Sequence, residues 1–256
     1  YPLLKDKIID LTKFVDESKL REKEEDIVKA KINNKLAYKR AFSYLKSSEA
    51  IYKLIEDSNN RFVNSKEINK KSRDLIDKIF TVDKLDLEVD GFKERHLFSN
   101  AYTPEAFFDY SKSILENVDH IYYIKGEIGT GKDLILKRIL DKAKMEDYKL
   151  EIYHNALIPD KFESIYIRDL DTIVTLNNNA PQFTNYILDL DNYLDLNMVN
   201  NDDYHVLNIV LDKGVKALKS AKRNHMILEK AYNGAIDFSG IDDVKEEIYK
   251  EILAYI

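Results

Sequence analysis

Apolar positions recur at two periods along this chain, and the change of period divides it. From residue 17 to 58, Ile27, Ala30, Ala37, Ala41, Tyr44, Ile51 and Ile55 keep a three-four rhythm, which predicts one long amphipathic helix with a narrow stripe of small residues. A second helix is predicted over 66–80, completing an α-hairpin, with Asn64-Ser65 as its start signal. A linker containing Gly91 follows at 81–94. The pattern then shortens to apolar, β-prone runs at 95–102, 120–125, 150–154, 164–168 and 172–176. Between them, Thr103-Pro104 is read as the start of a short helix ending near Val118, and Leu136, Ile139, Leu140 and Ala143 mark a helix after the 120–125 strand. Strands alternating with helices imply a mainly parallel, right-handed α/β sheet. The last seventy residues read as helical. The expected architecture is therefore α/β: a P-loop NTPase-type, mainly parallel sheet flanked by helices, with long α-helical hairpin appendages. It divides into a helical region at 1–90, an α/β core at 91–185 and a helical tail at 186–256.

One motif in that core carries chemistry. Gly126-Glu127-Ile128-Gly129-Thr130-Gly131-Lys132-Asp133 fits the phosphate-binding loop G-x-x-x-x-G-K-[ST] at every position but the last, and it holds three of the chain's seven glycines. Such a loop aims backbone N–H groups at an anion from the start of a helix. The strand before it and the helix after it supply the context the motif needs. In this reading all eight residues contact nucleotide, Lys132 reaches the β and γ phosphates, Thr130 adds a hydroxyl, and Mg²⁺ accompanies ATP or GTP. Asp133 stands where a Ser or Thr hydroxyl is expected. A carboxylate there either ligates Mg²⁺ or merely caps the helix start, where negative charge suits the dipole. Without a counter-charge it repels phosphate: two unit charges about 4 Å apart cost roughly 4 kcal/mol at an effective dielectric near 20. Lys132 and Asp133 are the candidate catalytic residues. A second carboxylate is expected at a neighbouring strand end, and Asp169 or Asp171, after Ile165-Tyr166-Ile167, are the candidates, Asp169 being assigned to metal with Asp133. Asn177 ends another strand and can place a water but cannot act as a base.

The chain also repeats itself. Ile9-Asp10-Leu11-Thr12-Lys13-Phe14-Val15-Asp16 and Leu188-Asp189-Leu190-Asp191-Asn192-Tyr193-Leu194-Asp195 share the pattern apolar-Asp-Leu-x-x-aromatic-apolar-Asp. Each leads into a long helical pattern and then a shorter one, at 66–80 and 242–255, the latter preceded by Ser239-Gly240. If 186–256 is the tail of one phosphate-loop unit, 1–80 is expected to be the tail of another, and the opening Tyr1-Pro2 fits a fragment of a longer protein. The expected partners are thus a nucleotide and an upstream P-loop half in the same protein, or a homodimer.

Three segments carry a family resemblance: Arg95-His96-Leu97-Phe98-Ser99-Asn100-Ala101-Tyr102-Thr103-Pro104-Glu105, Tyr123-Ile124-Lys125-Gly126 with its loop, and Glu151-Ile152-Tyr153-His154. Together they resemble the second half of a poorly characterised bacterial family of tandem P-loop ATPases or nucleotide kinases. The resemblance is strongest from Arg95 to Ala180. It implies ATP binding, with Ser expected in place of Asp133 and an acidic residue near Asn177, so that hydrolysis is in doubt more than binding. The alternative is an inert P-loop half that serves dimerisation or partner binding.

Charge and composition narrow the remaining classes. Residues 1–80 carry a net charge of +5 and the rest −11, within a chain of net −6. Val28–Ser48 holds Lys29, Lys31, Lys35, Lys39, Arg40 and Lys46 without an acid, with Tyr38, Phe42 and Tyr44 interleaved. That is a possible nucleic-acid face, but overall acidity argues against one as the main partner. There are no cysteines, hence no disulfide or thiolate metal site. No apolar run is long enough for a membrane span and no signal peptide is visible, so cytoplasm is the default expectation. The five histidines lack ligand spacing, although His96 and His154 are candidates to face the nucleotide. Asp189, Asp191, Asp195, Asp202 and Asp203 do not make an EF-hand, and Arg223 is a candidate phosphate-sensing arginine.

Overall fold

Helices open and close the chain and a sheet fills its middle. The computed structural model describes residues 8–83, 93–184 and 186–254; Tyr1-Pro2 and most of the 81–94 linker lie outside them. Two compact units result, one of Ala41–Lys216 and one of Tyr1–Arg40 with Ala217–Ile256.

The first predicted helix is broken near its start into α1 (Glu17–Arg21) and α2 (Glu24–Asn59). Its small-residue stripe is real: Ala30, Ala37, Ala41, Ser48 and Ile55 are all buried. The hairpin partner α3 (Ser65–Ile79) begins at Asn64, whose side chain accepts from Glu67 N–H, and it buries Ile68, Ser72, Leu75 and Ile79.

The sheet elements follow: β1 (Glu94–Leu97), β2 (Asn100–Tyr102), β3 (Phe107–Asp109), α4 (Ser111–Leu115), β4 (His120–Lys125), α5 (Lys132–Met145), β5 (Leu150–His154), β6 (Phe162–Ile167), β7 (Thr172–Thr175) and β8 (Tyr186–Asp189). Six strands form one sheet in the order β1-β5-β6-β7-β4-β8. The β1–β5, β7–β4 and β4–β8 pairs are parallel, while β6 runs antiparallel to both neighbours. The fold is thus α/β, with a mainly parallel six-stranded sheet flanked by helices. Strand β4, one in from the β8 edge, is buried on both faces. Tyr122 and Ile124 join α3 and α5 in one apolar cluster, while Ile121 and Tyr123 join Leu115 and Ala180 in another.

Three expectations change. Thr103-Pro104 opens a turn, not a helix: Thr103 N–H donates to Ala106 O at 2.9 Å, and Phe107–Asp109 pairs back on Asn100–Tyr102. Proline's fixed φ suits the second residue of a turn as well as a helix start, so Pro104 alone did not distinguish them. β6 is antiparallel because only 168–171 separate it from β7, far too few residues for a parallel crossover. Asp171 completes that hairpin in the left-handed region at φ 42°. Finally, 186–189 is the sixth strand and not the start of a helical tail; the tail proper is α6 (Asn201–Asn233) and α7 (Phe238–Leu253).

Candidate functional site

Three strands end together where the glycine loop begins. Lys125 at the end of β4 lies opposite Asp189 of β8, and Tyr123 lies opposite Thr175 at the end of β7. The chain leaves β4 toward β5, returns through β6 to β7, then crosses to β8 on the other side. A parallel sheet opens a crevice at the carboxyl ends of its strands where the connections diverge in this way. A cavity of about 300 Å³ lies there, lined by Lys125, Gly126, Glu127, Lys132, Asn178 and Asp191 among others.

The glycines are used for their backbone. Gly129 and Gly131 sit at φ 87° and 88°, where a side chain is strained. A Cβ on Gly129 would also come within 2.6 Å of Glu56 O, and one on Gly126 would collide with the Thr130 hydroxyl. Thr130 is fully buried and donates from Oγ1 to Glu127 O at 2.9 Å, so its hydroxyl closes the loop from inside. Asn59 of α2 donates to Ile128 O at 2.8 Å and to Tyr204 Oη of α6 at 3.0 Å. The N–H groups of Gly129, Gly131, Lys132 and Asp133 have no acceptor among the described residues, as expected for the open first turn of α5.

Lys132 folds back to donate to Gly126 O at 2.5 Å. Burial pushes its ammonium below the ordinary value, against the pull of Asp133, Glu127 and Asp191. Glu127 N–H is taken by Asp191 Oδ1 at 2.7 Å, and Lys125 bridges Asp189 at 2.8 Å and Asp191 at 3.3 Å. Asp191, met in the sequence only in the repeat and in the acidic run that makes no EF-hand, therefore holds the loop from β8's side.

Asp133 is neither an isolated helix cap nor a plug in the loop. Its Oδ2 pairs with Lys161 Nζ at 2.9 Å, and the same ammonium bonds Glu56 and lies over the Tyr52 ring. Burial draws the Lys161 ammonium down, but Asp133 and Glu56 outweigh it and the net shift is upward. Lys161 was missed because nothing local marks it. It precedes β6 and meets Asp133 from 28 residues away.

Asp169 and Asp171 are not at this site. Because β6 is antiparallel, the segment after it lies at the opposite edge, where Thr172 pairs with His120 at the start of β4. There Asp169 accepts from Lys149 N–H at 2.6 Å, and Asp171 accepts from Tyr166 Oη and Asp119 N–H. The carboxylate brought to the loop edge is Glu163, near the beginning of β6. Ser99 Oγ and Asn100 Nδ2 donate to it at 2.7 and 2.5 Å. Burial raises its pKa, only partly countered by these two donors and by Asn177. It shares an apolar cavity of about 190 Å³ with Ile128 of the loop, Tyr52 and Tyr102. Asn177 Nδ2 donates to Asp109 at 2.8 Å, and its side chain also bonds Glu163. His96 and His154 bond one another at 2.7 Å on β1 and β5, three strands or more from β4, so neither faces the loop.

Among the described residues no group of three or more His, Cys, Asp or Glu is placed to hold a metal ion, and no helix is long and apolar enough to cross a membrane. Comparison of the chain with protein-family models, curated proteins and solved structures gave no match.

Proposed function

We propose that residues 126–133 bind the polyphosphate of ATP or GTP, in a P-loop domain. One observation carries this reading: the loop stands between a buried parallel strand and a helix, at the carboxyl ends of β4, β7 and β8, with the first N–H groups of α5 without acceptors and Lys132 beside them. Phosphate would draw Lys132 from Gly126 O and favour its charged form. The repulsion from Asp133 is offset by Lys161, so polyphosphate can approach with Asp133 in place. Carboxylate oxygens suit a hard cation, and Asp133 at the helix start is the residue that would hold Mg²⁺ delivered with the nucleotide. Such an ion would neutralise phosphate charge. Glu163, at the same edge as the loop, is the carboxylate placed to orient a water or an acceptor hydroxyl.

A second reading rests on the same loop. Glu127 N–H is occupied by Asp191, and Asp133 by Lys161, so two residues of the loop are held by side chains from elsewhere in the chain. An inert P-loop half retained for its shape would look like this. Calorimetric titration with ATP, with and without Mg²⁺, separates the two on the wild type and on Asp133→Ser. Binding by the wild type, strengthened by Mg²⁺ and lost in Lys132→Ala, supports nucleotide binding. Binding only after Ser is introduced supports the inert half, and none in either protein removes the nucleotide reading.

A further inference from the structure

The repeated segments are not only alike in sequence; they are bonded crosswise in the same way. Asp10 Oδ1 accepts from Thr12 N–H at 2.8 Å, and Asp189 Oδ1 accepts from Asp191 N–H at 3.0 Å. Each is followed by a 3-10 turn, Thr12–Phe14 and Asp191–Tyr193. After the turn, Val15 forms an antiparallel bridge with Ile236, and Leu194 forms one with Val63. Asp16 N–H donates to Ala235 O at 2.7 Å and Asp237 N–H to Phe14 O at 2.8 Å. In the other copy, Asp195 N–H donates to Phe62 O at 3.2 Å and Asn64 N–H to Tyr193 O at 2.8 Å. Asn64 and Asp237 then cap α3 and α7 through the N–H groups of Glu67 and Gly240. The first motif thus clasps the second helical hairpin, and the second motif clasps the first. Local propensity explains one such cap or turn; it does not explain the same set, in the same order, twice.

The two copies differ in what they cover. In the second, β8 pairs with β4, and Leu188 and Leu190 are 7% and 0% exposed. Beside it, α3 buries Ile68, Leu75 and Ile79 in the cluster that holds β4 and α5. In the first copy the counterparts of Ile187 to Leu190 are Ile8 to Leu11, among which Ile8 and Leu11 are 62% and 43% exposed. The helix α7 has no buried residue, although Ile241, Ile248 and Ile252 fall at the cap-relative positions of Ile68, Leu75 and Ile79. Ile252 is 53% exposed where Ile79 is 0%. A segment that is the counterpart of a strand but has no sheet, and an apolar helix face without a core, are joined by the clasp that, in the other copy, joins a strand of the sheet to the helix packed on it.

We infer that Ile8–Leu11 and α7 together form a docking surface for a second α/β core built on the plan of residues 94–190. On that core, Ile8–Leu11 adds a parallel strand beside the strand that leads into a glycine loop, and α7 covers the adjacent face through Ile241, Ile248 and Ile252. A second copy of this chain is not the occupant, because its own β8 and α3 already fill those two places. The inference does not rest on nucleotide binding, since it uses only the pairing of the repeats.

Photo-crosslinking in the cells that make the protein tests it. p-Benzoylphenylalanine is placed in turn at Ile8, Ile252 and, as a control on the polar side of α7, Glu247. The expected result is that Ile8 and Ile252 both crosslink to peptides outside residues 1–256 that belong to one strand–glycine loop–helix core, whereas crosslinking is lost at Glu247. Ile252→Glu should also abolish the crosslink from Ile8, because strand and helix engage the same body. Crosslinks to residues 94–190 of another copy overturn the inference, as do crosslinks to a partner without such a core, or none beyond the chain itself.

Discussion

Single side chains divide into those whose role follows from their neighbours in sequence and those whose role does not. Lys132 belongs to the first kind, and under the nucleotide reading Lys132→Ala should weaken ATP binding at least about tenfold while leaving the melting temperature unchanged or higher. The melting temperature should not fall because the buried ammonium is already disfavoured. Lys161 belongs to the second. Removing its charge in Lys161→Met leaves Glu56 and Asp133 facing each other, and urea denaturation should show a loss of about 1–3 kcal/mol. Part of that loss should return in Lys161→Met combined with Glu56→Gln. Glu163 gives a pH signature. Its folded-state pKa is raised above 4.5, so the native state holds the proton longer than the unfolded chain. Stability from this group is complete below pH 4.5 and is lost as pH rises through the folded pKa. Thermal unfolding of Glu163→Gln across that window should lack this decline, and the variant should be at least as stable as the wild type at pH 7.

Among the elements, α3 and α7 offer the cleanest contrast. Both are amphipathic, both are capped in the same way and both follow a bridge residue, yet only α3 has a core to enter. Leu75→Ala should cost about 2–5 kcal/mol by leaving a cavity under α3. The cap-relative counterpart Ile248→Ala should cost less than about 1 kcal/mol in the chain alone. Equal losses at the two sites, measured by denaturant unfolding, would contradict the assignment of α7 as an uncovered helix. The strands teach a related lesson. β5 to β7 are readable as apolar runs, but their directions depend on connection length. The four residues at 168–171 dictate a hairpin, which moves Asp169 away from the loop and brings Glu163 to it.

Across the whole chain, protection should follow burial. Amides of β4 and α5 lie within or against the two apolar clusters, whereas α7 has no buried side chain. Hydrogen exchange should therefore be slowest at 120–125 and 132–145 and markedly faster at 238–253, a ranking that docking of a second core would reverse for α7.

What the order of residues specified is local. The glycine loop with its flanking strand and helix, the small-residue stripe of α2, the Asn64 cap of α3 and the repeat can be read within windows of a dozen residues, because propensity, φ preferences and period act over that distance, whereas the start read at Ser239-Gly240 lies inside α7, whose cap is Asp237. What required the folded chain is every pairing across distance: Lys161 on Asp133, Asp191 on Glu127 N–H, Glu163 at the loop edge, and β8 as a sixth strand. Those contacts depend on strand direction and sheet order, which set which strand ends share an edge. A single pattern of apolar positions is compatible with either direction, so composition and spacing leave that choice to packing.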